Sequence, residues 1–232
     1  MKKELTKNQK RLDADLWIIA IVTMLVFSIY AVTGNKLMAF CKDSSLSVWP
    51  RLFAAAAVEY GIAGLGITIV CLLRKESFVS FGLRKENLLK AIAGTILCFV
   101  PYILFVFLTG QFNGYSPLTV MVSDDLAKAG IVTFIIGTLI IALVWGFFEG
   151  FNYAVICEII DRRYPLANKF MSWGALVCAF MCILFHPFST SLLGIIEIIT
   201  TFIAIYGMLI VRKITGNSWG CVFAFLFIWN AL

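Results

Sequence analysis

The sequence predicts an all-α fold: a polytopic membrane bundle of about seven transmembrane helices with a cytoplasmic amino terminus. Three observations predict it. Of 232 residues, 61% are hydrophobic and only 14% charged, with a mean hydropathy of +0.95, which is more apolar surface than a soluble domain of this length can bury. Seven stretches approach the ~20 mostly apolar residues needed to cross a ~30 Å hydrocarbon core. Lysine and arginine gather in alternate connections between those stretches, as the positive-inside rule requires.

Residues 1–15 form a basic cytoplasmic tail with Lys2, Lys3, Lys7, Lys10 and Arg11. The first span, 16–35, is followed by no small-residue cleavage site and reads as a span, not a signal peptide. The second, 52–73, surrounds Glu59 with Ala54 to Ala57, Gly61 and Gly64, small residues that suit a tight helix contact. The basic loop Arg74 to Lys90 is partly amphipathic, and Phe78, Phe81 and Leu83 are expected to face lipid at the interface. A third span covers 91–109. The stretch from Gln111 to Lys128 holds Asn113-Gly114 and Ser116-Pro117 turn signals. Ser123-Asp124-Asp125 then reads as the cap of the fourth span, 130–157. Spans at 169–187, 188–211 and 214–232 complete the count. No linker, low-complexity tract or fixed-period repeat interrupts 16–232, which is read as a single transmembrane domain.

The formal charge of +6 reads as topology and not as a nucleic-acid footprint. All basic residues except Lys36, Lys42, Arg51 and Lys128 fall on the side assigned to the cytoplasm. Membrane lipids are the expected surroundings, and no nucleic-acid partner is expected. The seven cysteines are odd in number and sit mostly within spans, so they read as small apolar packing residues. Cys178, Cys182 and His186 share a helix face through their spacing of four. Zinc on that stripe is weakly supported, because no fourth ligand or Cys-x-x-Cys pair accompanies it.

The informative residue is Glu149. It lies in Trp145-Gly-Phe-Phe-Glu149-Gly-Phe-Asn152-Tyr153, after an uncharged run from Ala129 to Phe148. An ionisable group at that depth costs about 2–4 kcal/mol or more and marks a functional site by default. Asn152 and Tyr153 stand three and four residues on, one turn away on the same helix face. His186, the single histidine, closes the next apolar run, and Asn230 is an amide in the last. Each has a bland alternative: an interhelical hydrogen bond for Glu149 and Asn230, a polar helix end for His186. Glu59 and Glu197 are the other carboxyl groups within spans.

In order and spacing, Glu149, His186 (in Phe180-Met-Cys-Ile-Leu-Phe-His186) and Asn230 resemble the CPBP membrane proteases. That group includes the CAAX prenyl endopeptidases and the bacteriocin-processing or immunity proteins. The turn Thr215-Gly216-Asn217-Ser218 before the last span is similar to the family's Thr-Gly-Ser turn. The resemblance covers about 130–232. Where the family carries a second glutamate, an arginine and a second histidine, this chain has Gly150, Ala154 and Leu226.

The resemblance implies an intramembrane endopeptidase of a prokaryotic plasma membrane, acting on membrane-associated peptide or protein substrates. Glu149 would take a proton from water, His186 would orient that water or donate to the developing oxyanion, and Asn230 would donate to the same oxyanion. No cofactor is required by that scheme. A metal, if held, would lie between Glu149 and His186, a thin ligand set for zinc. Two alternatives stay open: a catalytically inactive relative that binds partner proteins, and a small carrier with Glu59, Glu149 and Glu197 along a pathway.

Overall fold

A computed structural model describes residues 4–185 and 189–232, and its regular structure there is entirely helical. Four helices are long and apolar enough to cross a membrane: Lys7–Lys42 (α1), Leu88–Leu108 (α4), the continuous rod Ile131–Arg163, and Leu192–Thr215 (α9). A fifth crossing arises if Val48–Ala63 (α2) and Leu65–Arg74 (α3), bent by 57°, count as one. The chain is therefore a multi-pass helical membrane protein. The segments expected at 169–187 and 214–232 hold shorter helices, Trp173–Phe185 (α8) and Trp219–Trp229. At ~1.5 Å per residue those reach roughly 20 and 17 Å, short of a full hydrocarbon core.

Local chemistry sets the helix ends. Before α1, the Gln9 amide donates to Thr6 Oγ1 at 3.2 Å while the Thr6 amide donates to Gln9 Oε1 at 3.0 Å, a reciprocal capping box. Much of the expected tail is thus the first turns of α1, where Leu12 and Asp15 are buried. The bend between α2 and α3 falls at Gly64, whose absent side chain leaves room for the Tyr60 and Phe148 rings. Ser123-Asp124-Asp125 starts a separate six-residue helix, Ser123–Lys128 (α5), and not the fourth span. Gly130, at φ +104°, breaks the chain there, and Ile131–Ile141 (α6) begins after it.

The rod Ile131–Arg163 is not uniform. α6 runs into a π-helical stretch, Ala142–Phe148, and then Glu149–Arg163 (α7). The last helix repeats the device: Trp219–Ala224 (α10) runs into a second π stretch, Phe225–Trp229, which ends at Asn230. The two π stretches pack against each other.

Arginines tie one end of the bundle together. Arg74 pairs with Asp15 and Arg11 with Glu76, each at 2.6 Å, Arg163 pairs with Asp13 at 2.6 Å, and Arg212 pairs with Glu158. At the other end buried Arg51 pairs with Asp125 at 2.8 Å and donates to the Cys41 carbonyl at 2.8 Å. The 74–90 connection departs from its expected place at the lipid interface. Phe78–Phe81 is a 3₁₀ turn, Phe81 is fully buried against Phe151, and Phe78 stacks edge-on to Phe148 and Phe151. Leu83 also packs on the core, while Val79 and Ser80 of the turn stay exposed. Burying two aromatic rings against the bundle removes more apolar area from water than an interfacial position would.

The turn after α9 explains why this loop turns inward. Gly216 adopts φ +65° as the α9 cap, and buried Asn217 donates from Nδ2 to the Arg84 carbonyl (2.6 Å) and the Glu86 carbonyl (2.8 Å). The Ser218 hydroxyl donates to the Phe81 carbonyl. The Thr-Gly-Asn-Ser turn thus works here as a clamp on the 81–86 backbone.

Candidate functional site

Glu149 is the first residue of α7, directly after the first π stretch. A π turn adds one residue to the helical repeat and rotates the downstream residues by about 100° relative to an unbroken α-helix. Gly146 lies within that stretch, and Leu226 of the second stretch occupies the space where a Gly146 side chain would stand. This close approach brings the two polar residues together: Asn230 Nδ2 donates to Glu149 Oε2 at 3.2 Å. The amide nitrogen carries two hydrogens, so one remains for another acceptor.

Glu149 opens onto a cavity of about 270 Å³ between α1, α2, the π–α7 junction and α8. Asn152 and Tyr153 line the same cavity, as their one-turn spacing predicts. Tyr153 is buried, stacks on Phe225 with centroids 5.3 Å apart, and its hydroxyl donates to Cys182. Its role is therefore anchoring α7 to α8 and to the second π stretch, while Asn152 lines the cavity. A second cavity of about 280 Å³ is lined by Asn230, and Trp145 and Met121 wall both.

Glu59 belongs to this site. It lines the Glu149 cavity and interacts electrostatically with Glu149. Its sequence signal is the same as that of Glu149, a carboxyl within an apolar span, but the small residues around it suggest only a tight helix contact. Glu197 does not line the cavity and lies on α9 near Tyr102. Of the three glutamates expected along a carrier pathway, Glu59 and Glu149 thus share this cavity and Glu197 does not.

His186 lies outside the described residues. Phe185, immediately before it, lines the Glu149 cavity and meets Phe27 edge-on at 5.2 Å. The seven cysteines are all free, and Cys178 donates to the Tyr153 carbonyl at 3.6 Å. Among the described residues no cluster of three or more histidine, cysteine, aspartate or glutamate side chains could hold a metal ion.

Of the three positions at which the sequence differs from the CPBP motifs, Gly150 and Ala154 are buried and Leu226 is partly buried. A side chain on Gly150 would meet the Cys221 carbonyl oxygen at 2.6 Å and the backbone of Val222 at 3.0 Å. Ala154 is fully buried, and Leu226 fills the notch at Gly146. Gly150 serves the contact between α7 and α10, and Leu226 serves the contact between the two π stretches. No protein-family model, curated protein or solved structure matches the chain.

Proposed function

We propose that this chain is a divergent intramembrane endopeptidase of the CPBP type. The supporting observation is the Asn230–Glu149 hydrogen bond, which joins two residues far apart in sequence, an exposed amide at the end of the last helix and a half-buried carboxyl at the edge of a mostly apolar cavity. A base held by a neutral amide donor beside a mostly apolar cavity is an arrangement that suits water activation.

In this reading the Glu149 carboxylate removes a proton from water while the water oxygen attacks a substrate carbonyl carbon. The free N–H of Asn230 donates to the oxyanion that forms. Collapse breaks the C–N bond, and the proton on Glu149 passes to the departing amine. His186 would orient the water, Asn152 faces the same space, and Tyr153 holds α7 in position. The substrate is a membrane-associated peptide or protein. Seven passes with a cytoplasmic amino terminus, in a prokaryotic plasma membrane, complete the proposal. The arginine-rich end of the bundle then faces the cytoplasm.

The test is cleavage of a fluorogenic library of single-span peptides by the purified protein in liposomes. Wild type is expected to cleave at least one member, Glu149→Gln none, and Asn230→Ala roughly 10²–10³ times more slowly, the usual loss of one oxyanion donor. Equal cleavage by wild type and Glu149→Gln, or none by wild type, rejects the proposal.

The packing of Gly150 and Leu226 favours a second reading, a non-catalytic relative that acts by holding a partner membrane protein. That reading expects no cleavage, and it expects partner capture to survive Glu149→Gln.

A further inference from the structure

Two carboxyl groups share the cavity between α1, α2, α7 and α8, and neither has a charged partner there among the described residues. Glu59 makes no hydrogen bond or ion pair with a described residue. Glu149 receives a neutral amide N–H from Asn230. Among the described residues no lysine or arginine lines the cavity, and Arg51, near its α2 end, is committed to Asp125 and to the Cys41 carbonyl. The rest of the wall is rich in aromatic rings: Phe27, Tyr30, Trp145, Tyr153 and Phe185.

We propose that this cavity binds a small hydrophobic organic monocation, an ammonium group carried on an apolar body. The carboxyl groups supply the counter-charge, and the ring faces supply the attraction that aromatic walls exert on weakly hydrated cations, strongest for tryptophan. A hard inorganic cation fits less well. Calcium needs six to eight oxygen ligands and magnesium a near-ideal octahedron, whereas this wall is mostly ring and methyl groups. A volume of about 270 Å³ suits one small ligand. Cation binding here shares Glu149 with the proposed peptidase site but does not rest on hydrolysis.

Calorimetric titration of the purified, detergent-solubilised protein tests it, with benzyltrimethylammonium as probe and neopentylbenzene as its neutral isostere. The ammonium is expected to bind saturably at one site and the isostere at least tenfold more weakly. Glu59→Gln should weaken ammonium binding at least about tenfold, or ~1.4 kcal/mol, with an unchanged elution profile. Should that variant aggregate, Tyr30→Leu takes its place and is expected to weaken binding as well.

Equal binding of probe and isostere, wild-type affinity in the variant, or stoichiometric displacement of the probe by sodium or magnesium chloride overturns the inference. Binding without any peptide cleavage rejects the peptidase reading alone. Cleavage without ammonium binding rejects the cation site alone.

Discussion

Gly150→Ala is the sharpest probe of the contact that brings Glu149 and Asn230 together. The added methyl would stand 2.6 Å from the Cys221 carbonyl oxygen and 3.0 Å from the Cys221 carbonyl carbon and the Val222 Cα. All three are backbone atoms, so no rotamer change relieves the overlap, and α10 has to move away from α7. Overpacking of a tight interior costs about 1–3 kcal/mol, and a rigid neighbour places this site near 3. Alanine regains about 1 kcal/mol over glycine within a helix. The net loss is about 2 kcal/mol, or roughly 4–8 °C in Tm for a chain of this size.

Thermal unfolding in detergent, followed by tryptophan fluorescence, measures it directly. Gly137→Ala is the control, because there the methyl meets only the end of the Leu126 side chain, which can turn aside. Its Tm should change by less than half as much. An unchanged or raised Tm for Gly150→Ala would refute the close α7–α10 contact and with it the geometry of the site. Gly150→Glu, with a larger side chain at the same backbone contact, should lower Tm further.

Three further outcomes are expected. Asp125 is held below its ordinary carboxylate range, first by the Arg51 guanidinium and then by the Ser44 hydroxyl. A depressed folded-state value means that its contribution is intact above the unfolded pKa of about 3.9 and fades as pH falls through the folded value. Tm should accordingly drop below about pH 4, and Asp125→Asn should lower Tm at pH 7 and remove that part of the acid dependence. Asn217→Ala deletes the donor to the Arg84 and Glu86 carbonyls, at a cost of about 1–3 kcal/mol; limited proteolysis should show faster cutting within 82–87 and an intact loop in wild type. If a glutamate-activated water performs the proposed cleavage, 1,10-phenanthroline or EDTA should leave its rate within about twofold, and loss of activity on chelation would reassign Glu149 as a ligand.

Composition and charge placement make the membrane class and the positions of the long helices readable from residue order alone. The cost of an uncompensated carboxyl in hydrocarbon singles out Glu149 just as directly, and Asn152 and Tyr153 come from helical periodicity. These properties depend on residue type and near neighbours, so one dimension suffices for them. Residue order puts Phe78 and Phe81 at the lipid interface instead of the core, because an aromatic in a basic loop has the same local pattern in either place. What inserts them is the clamp from Asn217 and Ser218, more than 130 positions away from the backbone they hold.

The same limit applies to the site itself. Nothing in the apolar pattern distinguishes a π stretch from an α-helix, since both keep the backbone bonded and the side chains hydrophobic. Yet the two π stretches turn Glu149 and Asn230 toward each other, and Gly146 and Gly150 let the helices approach closely enough for them to bond. Residue order was enough to show that a glutamate in an apolar span needs a reason to exist. That it shares a cavity with Glu59 and a hydrogen bond with Asn230 came from the packing alone, because helix rotation and close approach are set by contacts between segments and not within them.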